Sequence, residues 1–155
     1  MVDHTTNPII GITMGDPVGI GPELICQALA DPGIYEFCRP LVLGDTGILK
    51  AARQILKSKL EITAIEAPNA VTYGPGRINV INTSRLGPGA VTWGHPTPVT
   101  GQAMIDYITT GIEQALSGGL AALVTGPINK TAMKMAKSRF HGHTELLAAR
   151  TGTAK

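Results

Sequence analysis

Apolar and polar positions along the chain switch between a strand period and a helix period, and each switch marks an element. The stretch "IIGIT" (9–13) is a short apolar run closed by a glycine-rich loop, which predicts a buried strand. "GPELICQALA" (21–30) sets Leu24, Ile25, Ala28 and Leu29 at helical spacing with Pro22 in the first turn, and predicts a helix. "PLVLG" (40–44) predicts a second strand. In "DTGILKAARQILK" (45–57), Ile48, Leu49, Ala52, Ile55 and Leu56 share one helical face.

From Leu60 to Pro98 the periodicity weakens. "LEITAIE" (60–66) alternates like an edge strand and "RINVIN" (77–82) reads as another, but "YGPGR", "RLGPGA" and "WGHPTP" are turn chemistry. This section reads as an excursion from the main sheet rather than a second domain. Order returns in 97–116, a long amphipathic helix whose stripe is Ala103, Tyr107, Ile108, Ile112 and Leu116. "GGLAALVTG" (118–126) predicts a buried strand after a glycine-capped helix end, "INKTAMKMAK" (128–137) begins a helix, and "HTELLAAR" (143–150) another. The alternation predicts an α/β fold, a mostly parallel sheet with helices on both faces.

Composition narrows the class. The 155 residues suit one domain with a sizeable core. A charged fraction of 15% with nineteen glycines and eleven prolines points to a compact protein with tight, specialised loops, not to disorder. A formal charge of +2 without a Lys/Arg cluster along one face is too small to argue for nucleic acid, and no such partner is expected. The densest basic stretch, "KMAKSR" (134–139), reads as a solvated helix end, with a local anion site as the alternative. Cys26 and Cys38 lack CxxC spacing, which suits a reduced, cytosolic pair, with Cys26 a small buried hydrophobe. "MVDHTTNP" carries no signal-peptide pattern, and no apolar run approaches membrane-spanning length. The expectation is a soluble, cytoplasmic protein.

Three loops are candidates for chemistry, because ligands of open parallel sheets bind outside the carboxyl ends of the strands. The first, "TMGDPVGIGPE" (13–23), would let backbone approach a ligand closely at Gly15, Gly19 and Gly21. It is not a dinucleotide fingerprint: G-x-G-x-x-G begun at Gly19 meets Leu24 where the third glycine belongs. Asp16 within it is either a solvated turn residue or a ligand contact. The second loop, "VTGPINKTAMK" (124–134), fails the phosphate-loop pattern twice, at Val124 and Asn129. It still brings an amide, Asn129, and a cation, Lys130, to a helix start. The alternative is Asn129 as N-cap with Lys130 in solvent.

The third loop is "FHGHTE" (140–145). His141 and His143 would share a face if extended, and two such ligands can serve a metal. Two ligands do not make a site, and neither His4, in the tail, nor His95, in a turn, has matching context. Capping is the simpler reading, with Thr144 as the N-cap and Glu145 near the positive helix end.

Taken together, "ITMGDPVGIGPEL", "ALVTGPINK" and "GHTELLA", in this order and spacing, resemble the 4-hydroxythreonine-4-phosphate dehydrogenase family of pyridoxal phosphate (vitamin B6) biosynthesis. The resemblance runs along nearly the whole chain but covers about the N-terminal half of a family member, so residues 1–155 are expected to be part of a subunit. It implies an oxidoreductase with a fold like isocitrate and isopropylmalate dehydrogenases, active as a homodimer. The implied reaction is NAD- or NADP-dependent oxidation of 4-phosphohydroxy-L-threonine at its C3 alcohol, with decarboxylation to 3-amino-2-oxopropyl phosphate. A divalent metal such as Zn, Mg or Co would act as Lewis acid. Its ligands are expected beyond Lys155, and none is assigned within the chain. Residue by residue, His143 and Thr144 match substrate-contacting positions, while Asp16, Asn129 and Lys130 fall in motifs lining the cleft. His141 stands where relatives have proline or threonine, which argues against a catalytic duty. Two alternatives are a related 4-phospho-threonate or 4-phospho-erythronate dehydrogenase, and a non-catalytic module binding a phosphorylated ligand.

Overall fold

The apolar run near the start of the chain forms β1 (Ile9–Thr13), followed by β2 (Arg39–Gly44), β3 (Glu61–Ala64), β4 (Arg77–Asn82) and β5 (Ala122–Thr125). All pair in parallel, in the order β3-β4-β2-β1-β5. The structure, a computed structural model, describes residues 7–69, 71–87 and 89–153. His4, read above as a tail residue, and Lys155 lie outside the described residues.

Among the described residues five α-helices cover the sheet: α1 (Gly21–Ala28), α2 (Thr46–Ile55), α3 (Pro98–Leu116), α4 (Lys130–Met135) and α5 (His143–Thr151). Their placement follows from the hand of parallel crossovers. The steps from β1 to β2 and from β2 to β3 run the same way across the sheet, so α1 and α2 lie on one face and pack together. The step from β4 to β5 runs back, so α3 covers the opposite face, where α4 and α5 pack against it. The expected α/β class stands, with the sheet wholly parallel. Among the described residues no helix is long and apolar enough to cross a membrane.

Residues 60–98 are not an excursion. β4 lies inside the sheet, paired with β2 through Leu41–Asn79 to Gly44–Asn82, and β3 is the edge strand beside it. Among the described residues of the crossover between them, 65–76, none is helical, so βαβ rhythm gives no sign of the parallel pairing. Polar bonds pin it instead: Tyr73 donates to the Pro68 carbonyl (2.7 Å) and Asn79 to that of Thr72 (3.1 Å). β5 is the other edge, paired only with β1, and Val124 is 52% exposed there rather than buried. Helix faces also narrow. Leu24, Ile55 and Leu116, expected inside, are exposed, while α1 buries Ile25 and Cys26 as expected. Spacing gives the direction of an apolar stripe, but the packed length depends on neighbours at the helix ends.

A buried carboxylate ties three elements together. Asp45, 2% exposed, caps α2 through Oδ1, which accepts from Gly47 N (2.8 Å) and Ile48 N (3.2 Å). Its Oδ2 accepts from Ser84 Oγ (2.8 Å) and Leu86 N (2.6 Å) in the segment after β4. Ser84 Oγ in turn lies 2.7 Å from the Tyr107 hydroxyl on α3. Burial holds the Tyr107 phenol well above its usual range, so the hydroxyl stays protonated and able to bond.

Removing this acceptor strands several buried donors. Asp45→Ala is expected to cost about 3 kcal/mol in urea unfolding, whereas a loss below about 1 kcal/mol would show that water replaces the carboxylate without penalty. The thiols supply a second check. Cys26, buried under α2 with Sγ 3.8 Å from the Leu49 carbonyl, is pushed up to about 11, chiefly by burial, while Cys38 is half-buried. At pH 8 a maleimide should therefore modify Cys38 first, with Cys26 slower by roughly tenfold or more. Equal rates in the native protein would contradict the packing of α1 on α2.

Candidate functional site

The chain's glycines matter most where β1 and β5 end. Gly15 takes a left-handed φ of +77°, and a Cβ there would run into the Pro127 carbonyl oxygen. A Cβ on Gly126 would stand 2.5 Å from the Thr13 carbonyl oxygen. Without those side chains the two loops meet backbone to backbone. Asp16 N donates to Pro127 O (2.8 Å), and Gly126 N to Thr13 O (3.0 Å) and Oγ1 (3.1 Å).

Strand order reverses at β1: the chain leaves it through α1 on one face, while neighbouring β5 leads to α4 on the other. Loops that diverge in this way leave a crevice at the carboxyl ends of the strands, the usual ligand position in open α/β sheets. Asp16 and Asn129 face each other across it. Asp16, 6% exposed, accepts from Val18 N through Oδ1 (3.1 Å) and from Asn129 Nδ2 through Oδ2 (3.1 Å). Asn129 Oδ1 meanwhile accepts from Ala132 N (3.1 Å), capping α4. Both ends of this amide are thus engaged in holding the crevice. Asp16 is buried, not a solvated turn residue, and Lys130 is the exposed cation at the first position of α4.

α5 begins beside this crevice. The atom nearest to where a Gly142 side chain would stand is Ile128 Cδ1, at 3.9 Å, on the loop after β5. Gly142, in extended backbone, is the N-cap and makes no side-chain cap bond. Thr144 is therefore not the cap expected from sequence; it sits, exposed, at the second helical position. Gly142 takes the cap position in extended backbone and has no side chain to bond the first-turn N–H groups.

His143 opens the helix. It is half-buried, and its Nδ1 is shut off from solvent with no hydrogen-bond partner among the described residues. Such a nitrogen costs about 1–3 kcal/mol until something bonds it. His141 stands apart, outside the helix and exposed. Its N donates to Glu145 Oε2 (3.0 Å) and its Nδ1 lies 3.3 Å from the same oxygen. The two histidines are not on one strand face, so the H-x-H pattern forms no metal pair. Among the described residues no three His, Cys, Asp or Glu side chains cluster to hold a metal. His95 lies in its expected turn, Nδ1 3.0 Å from the Trp93 carbonyl.

Sequence reasoning missed one hollow and touched the neighbourhood of another. The larger, about 600 Å³, lies between the end of β4 and the start of α3, with Thr83, Arg85, Leu86, Val99, Gln102 and Met135 among its walls. Weak periodicity in 83–97 gave no signal for it. The other, about 380 Å³, is lined by Lys130, Thr131, Lys134, Ser138, Phe140 and His141, and the basic stretch 134–139 was its signal.

The parallel sheet, the switch-point crevice and a half-buried histidine at a helix start describe an α/β subunit with a candidate site at the strand ends. A family model described as pyridoxal phosphate biosynthetic protein PdxA matches residues 36–155, and the chain belongs to that family. It is 52% identical over 148 residues to a 4-hydroxythreonine-4-phosphate dehydrogenase of Desulforapulum autotrophicum, covering 96% of this chain and 44% of that protein. A D-threonate 4-phosphate dehydrogenase of Cupriavidus necator is 39% identical, over 94% of this chain and 44% of its own length. The crystal structure of a 4-hydroxythreonine-4-phosphate dehydrogenase from Burkholderia phymatum superposes with a TM-score of 0.91 at 38% identity, covering 96% of this chain and 45% of that one. The chain spans about half the length of the relatives it matches.

If the close approach of the two loops shapes the crevice, Gly15→Ala should destabilise the protein by about 2 kcal/mol or more in chemical denaturation. A variant as stable as the wild type would mean that the loops separate without cost.

Proposed function

We propose that this chain is the N-terminal part of a cytoplasmic, homodimeric dehydrogenase subunit that oxidises 4-phosphohydroxy-L-threonine with NAD or NADP, followed by decarboxylation to 3-amino-2-oxopropyl phosphate. The observation that carries the reading is the unpartnered, hidden Nδ1 of His143 at the open start of α5, beside the crevice. The kinship with proteins named 4-hydroxythreonine-4-phosphate dehydrogenase supports the choice of substrate.

In this reading His143 bonds a substrate oxygen through Nδ1, and Thr144 offers its hydroxyl from the next position. The Asp16–Asn129 bond positions the two loops against which the substrate lies. A nicotinamide dinucleotide, when bound, supplies the hydride acceptor. The loop 13–23 does not hold it by a dinucleotide fingerprint, because Leu24 replaces the third glycine. The described residues do not fit a divalent metal such as Zn, Mg or Co, and no step here is routed through one. Its donors in this reading belong to the part of the relatives that this chain does not match.

A second reading, oxidation of 4-phospho-D-threonate, is favoured by the similarity to the D-threonate 4-phosphate dehydrogenase of Cupriavidus necator. Both substrates carry the phosphate and the secondary alcohol; the amino group separates them.

NADH or NADPH formation by the family-length protein, measured with each substrate, decides between the two. Faster turnover of the threonate would reverse the order, and turnover of neither would remove both. His143→Ala should lower kcat/KM by roughly a hundredfold while leaving metal content unchanged by elemental analysis. Loss of metal in that variant would make His143 a metal ligand instead of a substrate contact.

A further inference from the structure

We propose that Met104 is a positioning residue for the crevice, acting through the backbone N–H of Asn129. Met104 lies on α3 and is fully buried. Its Sδ accepts from Asn129 N at 3.3 Å, across 25 residues of chain. A buried thioether ordinarily serves as adaptable filler and only weakly as an acceptor. Here it takes a backbone donor of a crevice residue, which is a polar task given to an apolar side chain.

Each polar group of Asn129 is engaged. Nδ2 donates to Asp16 Oδ2 (3.1 Å), Oδ1 accepts from Ala132 N (3.1 Å) and the carbonyl accepts from Met133 N (3.1 Å). Those three bonds tie the residue to Asp16 and to α4. Among the described residues, the bond from N to Met104 is the one that joins Asn129 to α3. It therefore fixes the cap of α4, and with it the amide that reaches Asp16, against the helix layer that covers the sheet. A half-buried N–H deprived of its acceptor would have to find water or move.

The surface of α3 prepares this contact. Gly101 stands one turn before Met104, and a Cβ there would run into the Ala132 carbonyl oxygen. The missing side chain lets α4 lie close on α3 and brings Asn129, its cap, within reach of the sulfur. Met133 supplies an internal comparison. It is 1% exposed and packs in the same cluster with Met104 and Ala132, but no hydrogen bond to its sulfur is present among the described residues. Leucine replaces methionine with little change in volume. Paired leucine variants at 104 and 133 thus separate the bond made by the sulfur from the space it fills.

The consequence for a ligand rests on the proposed function, in which the Asp16–Asn129 bond positions the loops against which the substrate lies. Two readouts on the family-length protein keep the sulfur's role apart from that reading. The first is hydrogen exchange of the Asn129 backbone amide, followed by NMR with isotope-labelled asparagine in variants checked for native circular dichroism. Met104→Leu should speed this exchange roughly tenfold or more, while Met133→Leu stays within about threefold of wild type. Met104→Gln, whose side-chain oxygen can accept in the sulfur's place, should restore slow exchange. The second readout is turnover of the preferred phosphorylated substrate. Met104→Leu should raise KM roughly fivefold with kcat within about twofold, and Met133→Leu should leave both near the wild type. Equal exchange at Asn129 in the two leucine variants would overturn the proposal, as would a faster exchange with unchanged KM in an active enzyme. A wild-type protein that turns over neither substrate would remove the dehydrogenase reading and leave the exchange rates to decide for or against Met104.

Discussion

Asp16 and Asn129 stand on loops that leave neighbouring strands for opposite faces of the sheet, and one hydrogen bond of 3.1 Å joins them. Much of the site depends on that constraint. Parallel strands force the chain to cross over helices, and right-handed crossovers put α1 and α3 on different faces wherever the strand order reverses. The reversal at β1 opens a crevice, and an open crevice exposes backbone polar groups that must find partners. Here each loop satisfies the other: Asp16 N bonds Pro127, Gly126 N bonds Thr13, and the Asn129 amide spans the gap while capping α4.

What was legible in the sequence was what local physics controls. β1 and β4 have the bounds read from their apolar runs, and α3 starts at Pro98 with the Thr97 cap beside it. Asp16, Asn129 and Lys130 converge on one end of the sheet as expected for loops at strand ends. What escaped was decided by neighbours distant in sequence. β4 lies inside the sheet although none of the described residues in its link to β3 is helical, and the apolar residues of β5 give no sign that it is an edge. Thr144 looked like a cap because its residue type favours one, yet Gly142 takes that place. Nothing in "GHTE" shows that the His143 ring nitrogen would be shut away from water without a partner.

The same contrast separates the two histidines. His141 bonds Glu145, so its ring is tied to the first turn of α5, and it lines the hollow beside Lys130 and Lys134. His143, two residues on, begins a helix with its Nδ1 buried and without a partner among the described residues. The short connection between α4 and α5, 136–142, owes its shape to the Lys137 turn and the two Ser138 bonds.

The central claim is that Asp16 and Asn129 act as a unit holding the crevice together. A double-mutant cycle on stability, with Asp16→Ala, Asn129→Ala and the pair, tests it most directly. A coupling energy of about 1–3 kcal/mol is expected, since each single variant should leave the other side chain without its partner. Strictly additive losses would mean that the two residues serve only their own loops, and that the crevice is held by backbone contacts alone.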